Sequence, residues 1–251
     1  MNLRRHCCKS DTGLVSRHAG ALRIANDGVH SRQRANLGAR ESPFEARMLQ
    51  PAMPQDIRIE TERFILRDLE RSDTTERACA WLADPVKARM INAVPRTMTV
   101  QQFGDYIAGH DRVRAHLLGV FDKVSGTLLG IWSVHVDWEY SEFRLAVLIG
   151  ERVPGFAHIR AETQRELLRH LFETRGFETL RCSVLARNDA IGAKIFAAAG
   201  IEPEHISYNP GAESAAFVEI RHYRVSRDTW RAYSERAANG DLRAMADQLG
   251  I

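Results

Sequence analysis

Arg152, Gly155 and Ala157 stand in the run Leu148-Ile149-Gly150-Glu151-Arg152-Val153-Pro154-Gly155-Phe156-Ala157, where an apolar strand pattern breaks into a turn and a helix pattern begins at about Ala157 or His158. A strand–turn–helix of this kind points several backbone N–H groups and the positive end of a helix dipole at one spot. That arrangement suits a phosphate or a pyrophosphate. Arg152 places a cation beside it. The same residues are also compatible with a tight turn that needs Gly155 only for its backbone.

The elements that must position this turn are legible on both sides. Ile57 to Leu69 alternates apolar and polar residues, as a strand pair or a bent strand does. Ser72-Asp73 is a capping signal for a helix over about Thr74 to Leu82, and Asp84-Pro85 stops it and opens a short helical turn through Met90. Thr97 to His116 is helical by period. Strands are expected at Leu117 to Asp122 and Thr127 to Val136, joined by a turn at Lys123–Gly126. Phe143 to Ile149 is continuously apolar after Arg144, which predicts a strand buried on both faces.

His158 to Arg175 carries the strongest helical stripe (Leu167, Leu168, Leu171, Phe172) and Gly176 is its stop. A strand at Thr179 to Leu185, a helix at Asp189 to Ala199 closed by Gly200, and a strand at Ala215 to Val225 follow. Helix then resumes at Ser226-Arg227-Asp228 and reaches about Gln248, with a break near Gly240. Tyr208-Asn209-Pro210-Gly211 has the composition of a loop. Strands interleaved with helices in this order imply a mixed α/β sheet with helices on both faces.

Composition narrows the class. Of the 35 Lys/Arg and 32 Asp/Glu, nine and four lie in residues 1–55, so the rest of the chain is slightly acidic. Nucleic acid is therefore not expected as a partner of the folded part. There is no stretch of 18 apolar residues, so no membrane span is expected. Cys7, Cys8, Cys79 and Cys182 form no C-x-x-C spacing, which predicts reduced thiols and no metal site. Residues 1–55 are basic, Ser-rich and without apolar periodicity. They suit a disordered arm, a transit-like leader, or sequence upstream of a true start at Met48 or Met53. No secretory h-region is visible, so the cytoplasm is the expected location.

The motifs together resemble the GNAT (GCN5-related N-acetyltransferase) superfamily, in its RimJ/RimL-type branch, over residues 57–230. Arg152-x-x-Gly155-x-Ala157 is similar to the Q/R-x-x-G-x-G/A loop. Thr61-Glu62-Arg63-Phe64-Ile65-Leu66-Arg67 resembles the opening T-E-R-L-x-L-R strand, and Trp81-Leu82-Ala83-Asp84-Pro85-Val86 the helix with its D-P-x-V exit. Leu129-Gly130-Ile131, Gly200-Ile201 and Arg227-Asp228-Thr229-Trp230 occupy the places of L-G-x-I, G-F and R-E-E-W.

The resemblance implies a mostly antiparallel twisted sheet with a splayed central parallel strand pair. Residues 56–236 would form the transferase domain and 237–251 a helical tail. It further implies acetyl transfer from acetyl-CoA, as co-substrate and without a metal, to a primary amine of a protein N-terminus or a small molecule, by a monomer or a homodimer. Arg152, Gly155, Phe156 and Ala157 would hold the diphosphate. The backbone of Val147, Leu148 and Ile149 would hold pantetheine and the thioester carbonyl, and Asn188 the pantetheine arm or, alternatively, a helix cap.

An amine acceptor must lose a proton before it attacks, so a base is expected. Where relatives read E-x-G-Y, this chain has Arg144, Leu145, Ala146 and Val147. Among His135, Asp137, Glu139 and Glu142, the residue taken as base is Glu142, on the same strand face as Arg144; a solvated hairpin carboxylate is its other reading. Arg144 would bind an acidic group of the substrate or balance a buried charge. Neither Ile191 and Ile195 nor Gly192 and Phe196 supplies the hydroxyl that relatives place after the asparagine. A degenerate acyl-CoA-binding protein is therefore the alternative to an active transferase.

Overall fold

Alternation in the first apolar stretch resolves into two strands, β1 (Arg58–Glu60) and β2 (Phe64–Asp68), which pair antiparallel. The computed structural model describes residues 53–150, 156–186, 196, 200–211 and 216–238. Three helices follow: α1 (Glu76–Ala83), α2 (Pro85–Met90) and α3 (Val100–Ala108). The cap of α1 is Thr75, whose hydroxyl accepts from the Ala78 N–H, while Ser72 and Asp73 lie in a preceding 3₁₀ turn. Asp84 closes α1 and caps α2 through the Val86 and Lys87 N–H groups, with Pro85 at the first helical position.

The helix expected over Thr97 to His116 ends at Ala108 instead. Asp111 Oδ1 accepts the N–H groups of Val113, Arg114 and Ala115, which turns the chain out of the helix and into a strand. The strands are β3 (Ala115–Asp122), β4 (Leu128–Asp137) and β5 (Glu142–Ile149). The long helix α4 (Phe156–Arg169) then runs into a single π turn at His170–Thr174, and Gly176 (φ 73°) releases the chain into β6 (Thr179–Leu185). The chain closes with β7 (His205–Pro210), β8 (Phe217–Ser226) and α5 (Arg227–Ala238).

Tyr208-Asn209-Pro210 is thus strand where a loop is expected. Pro210 is tolerated because β7 lies at the sheet edge and pairs only with β8 among the described residues. The helix expected at Asp189–Ala199 and the tail at 237–251 fall almost wholly outside the described residues.

All eight strands form one sheet in the order β1-β2-β3-β4-β5-β6-β8-β7, antiparallel except for β5 and β6. The parallel ladder is short. It runs from Glu142↔Thr179 to Arg144↔Arg181, and beyond it Leu145–Ile149 and Cys182–Leu185 part from each other. The sheet is therefore splayed at its centre, and helices cover both faces.

Trp132, Val134, Phe143, Ile159, Leu167, Phe172 and Trp230 fill the larger core on the α4 and α5 face. Leu69, Trp81, Phe103, Ile107, Leu117 and Ile131 fill the smaller one under α1 and α3. The indole N–H of Trp132 donates to Thr163 Oγ1 at 3.1 Å, tying β4 to α4. Asp68, on β2, accepts the Ile57 N–H at 2.7 Å and the fully buried His116 Nδ1–H at 3.1 Å, tying β2 to β3.

β5 departs from the expectation of burial on both faces. Phe143 is buried, but Leu145 to Ile149 are only half-buried. The cause is the splay: where β6 leaves, one flank of an apolar strand stands open.

His170, in the π turn, is largely enclosed. Burial, followed by the cation of Arg175, lowers its pKa from 6.5 to about 4. Since the folded chain holds this imidazole neutral, its contribution to stability is complete above the unfolded pKa and is lost as pH falls from about 6.5 to about 4. Between pH 7 and pH 4.5, His170→Asn is expected to lose roughly 2 kcal/mol less stability than the parent, read from denaturant unfolding at the two pH values.

Candidate active site

The parted half of β5 leads directly into the predicted cofactor loop. Val147, Leu148 and Ile149 line the splay on the β5 side, and among the described residues their β6-facing backbone has no strand partner. Such groups are free to hydrogen-bond an extended ligand arm. Phe156 and Ala157 open α4, so a helix N-terminus lies seven residues beyond the end of β5. Arg152 and Gly155 of that turn, and Asn188 after β6, lie outside the described residues.

Gly150 fixes the exit of β5. Its N–H donates to the Leu129 carbonyl at 2.9 Å, and the Trp81 ring of α1 packs on its α-carbon so closely that a Cβ there would stand 1.9 Å from Trp81 Cε2. On the same face of this strand end, Leu148 borders a small apolar pocket with Trp81, Leu82, Ala88, Ile91 and Val94.

The sheet register arranges the polar residues of the α1–α3 face in rows. His135, Arg144, Arg181 and Arg224 stand abreast on β4, β5, β6 and β8. In the next row toward the splay are Ser133 and Ala146, then across the gap Ser183, His222 and His205. Ala146 is thus a small floor flanked by two Ser–His pairs. Sequence reading finds only His135 among these four. The others share no motif, and Ser183 and His222 lie 39 positions apart.

Glu142, the residue expected as base, is engaged by two arginines. It sits at the joined end of β5 and β6, in the row behind Arg144, and its carboxylate is held by Arg181 Nε and, at 3.3 Å, by Arg224 Nη2. Arg181 is shared with Glu204 at 3.0 Å. The hydrogen bond to Glu142 raises the pKa of Arg181. Arg144 lies on the open face at the splay margin and is exposed, where a ligand group could reach it.

His135 stands opposite Arg144 on β4. Its Nε2 lies 3.0 Å from Ser133 Oγ, and the residue is exposed to solvent. Partial burial, then the neighbouring His110 and Arg144, lower its pKa below 6.5. The ring is therefore neutral at pH 7, with one nitrogen able to accept a proton. His110, just beyond α3, is itself held by a 3.0 Å hydrogen bond between Nδ1 and the Tyr106 carbonyl and by an edge contact with the Tyr106 ring. No group of three or more His, Cys, Asp or Glu among the described residues could hold a metal.

No protein-family model matches the chain, and no curated protein matches it. Solved structures do. A GCN5-related N-acetyltransferase from Brucella melitensis superposes with a TM-score of 0.57 at 14% identity, over 73% of this chain and 85% of that one. A putative acetyltransferase from T. thermophilus gives 0.55 at 19% identity, over 74% and 97%. The ribosomal-protein-S5-alanine acetyltransferase from Vibrio fischeri gives 0.55 at 16% identity, over 70% and 99%. The chain has the fold of the GNAT acetyltransferases.

Proposed function

We propose that this protein is an acetyl-CoA-dependent N-acetyltransferase of the RimJ/RimL type, moving an acetyl group to a primary amine of a protein N-terminus or a small molecule by direct attack. The observation that carries this reading is the parting of β5 from β6 shortly before the N-terminus of α4. A gap whose strand backbone has no partner strand among the described residues fits an extended pantetheine, and a helix N-terminus near its end fits a diphosphate. Arg152, Gly155, Phe156 and Ala157 would hold the diphosphate, Val147, Leu148 and Ile149 the pantetheine and the thioester oxygen, and Asn188 the pantetheine arm.

His135 takes the place of Glu142 as general base, accepting the amine proton directly or through one water. Arg144 would orient an acidic group on the acceptor. Residues 56–236 act as the transferase domain, in the cytoplasm and as a monomer or homodimer. No helix among the described residues is long and apolar enough to cross a membrane.

The engagement of Glu142 by two arginines supports a second reading, a protein that binds acyl-CoA without transfer. A thiol-release assay with acetyl-CoA and a panel of polyamines, amino acids and peptides with free N-termini separates the two. Amine-dependent release of coenzyme A is the expected result; binding of acetyl-CoA with no release from any amine contradicts transfer.

A further inference from the structure

His222 is held at both ring nitrogens by hydroxyls. Nδ1 lies 3.0 Å from Ser183 Oγ and Nε2 lies 2.8 Å from Ser207 Oγ. The chain of groups runs across three strands: Ser183 on β6, His222 on β8 and Ser207 on β7 at the sheet edge. His205 stacks flat on the same imidazole, ring centroids 4.2 Å apart with 7° between planes, and fixes its orientation. Ser183 is the first residue on its face beyond Arg181, where the parallel ladder stops, so it stands on the β6 wall of the splay and is exposed there.

An imidazole between two hydroxyls can pass a proton without becoming charged. Its N–H donates to one oxygen while its other nitrogen accepts from the second, and one concerted shift exchanges the tautomers.

Acetyl transfer, on the reading proposed above, leaves one proton to be supplied. The amine lone pair forms the C–N bond, the C–S bond breaks with its electron pair on sulfur, and the amine proton goes to His135. We propose that Ser183, His222 and Ser207 form a proton relay to the departing coenzyme A sulfur. Ser183 O–H protonates the thiolate as His222 Nδ1–H delivers a proton to the Ser183 oxygen. Nε2 takes the Ser207 proton, and water at the sheet edge restores it. After coenzyme A leaves, the reverse shift, with solvent protonating Ser183 and Ser207 releasing a proton to water, resets the His222 tautomer. The balance is closed by the proton that His135 releases to solvent. The relay accounts for the lack of a hydroxyl at the positions after Asn188, and it sets acid and base on opposite sides of Ala146.

The test uses the full chain, acetyl-CoA, and whichever amine of the panel the parent acetylates best. Ser183→Ala and His222→Gln are expected to lower kcat on the order of 10²-fold, with acetyl-CoA affinity by calorimetry within about threefold of the parent. Ser183→Thr, which keeps the hydroxyl, is expected to restore kcat to within a few-fold. The double variant should be no slower than the slower single one, because the groups act as a unit. The solvent isotope effect on kcat should change in the single variants. Parent-like kcat in Ser183→Ala or His222→Gln overturns the relay and leaves the transferase reading intact. Failure of the parent to release thiol with any amine overturns both.

Discussion

His135→Gln is expected to lower kcat/KM for amine-dependent thiol release by roughly 10²–10⁴-fold at pH 7, while acetyl-CoA binding stays within a few-fold of the parent. Protonation state matters here as much as position. Lysine-like amines are mostly charged at neutral pH and cannot attack until a base takes the proton. Partial burial and two neighbouring basic groups hold the His135 pKa below 6.5, so at pH 7 the ring is neutral and able to accept. Glutamine keeps a hydrogen bond to Ser133 but accepts no proton.

The pH profile carries the sign. In the parent, kcat/KM should fall as pH drops through the depressed pKa of His135 and the imidazole becomes charged. The variant should lose that limb and retain only the rise due to the amine itself. A variant with parent-like rate and an unchanged acid limb would remove His135 from the mechanism.

Gly150→Ala is expected to have the largest structural effect of any single methyl group added near the site. The new Cβ would lie 1.9 Å from the Trp81 ring, and both sides are constrained: Trp81 is 4% exposed, and the Gly150 backbone is bonded to Leu129. Either α1 lifts from the sheet or the end of β5 moves. We expect a loss of about 3 kcal/mol of unfolding free energy, the upper part of the overpacking range, and at least tenfold weaker acetyl-CoA binding because the cofactor turn starts at this residue. Trp81→Ala in the same chain should recover part of the Gly150→Ala loss, a non-additivity expected only if the two groups collide. Additive losses would place the strain elsewhere.

Local chemistry accounts for which parts of this architecture can be read from sequence. Asp84-Pro85 and the alternation in Ile57–Leu69 are decided by nearest neighbours, and they appear in the structure as read. The helix over Thr97–His116 is overextended in the reading because periodicity continues past Gly109, while the stop comes from the Asp111 carboxylate capturing three N–H groups. β7 is missed because Asn209-Pro210-Gly211 has turn composition and only an edge position makes it a strand.

The site divides in the same way. Its strand and the helix after it are close in sequence and legible. The splay that half-exposes Leu145–Ile149 is a tertiary event, and so is the engagement of Glu142 by Arg181 and Arg224. Ser183, His205, Ser207 and His222 meet only through the β6–β8–β7 register, and no spacing in the chain announces it.

The central claim is that acetyl-CoA occupies the gap between β5 and β6. Calorimetric titration of acetyl-CoA into the parent and into Ala146→Phe, whose ring would fill the floor of that gap, tests it most directly. The account predicts one equivalent bound by the parent, with a Kd of about 1 μM to 1 mM, and no measurable binding by the variant. Absence of binding to the parent, or equal binding to both, would contradict it.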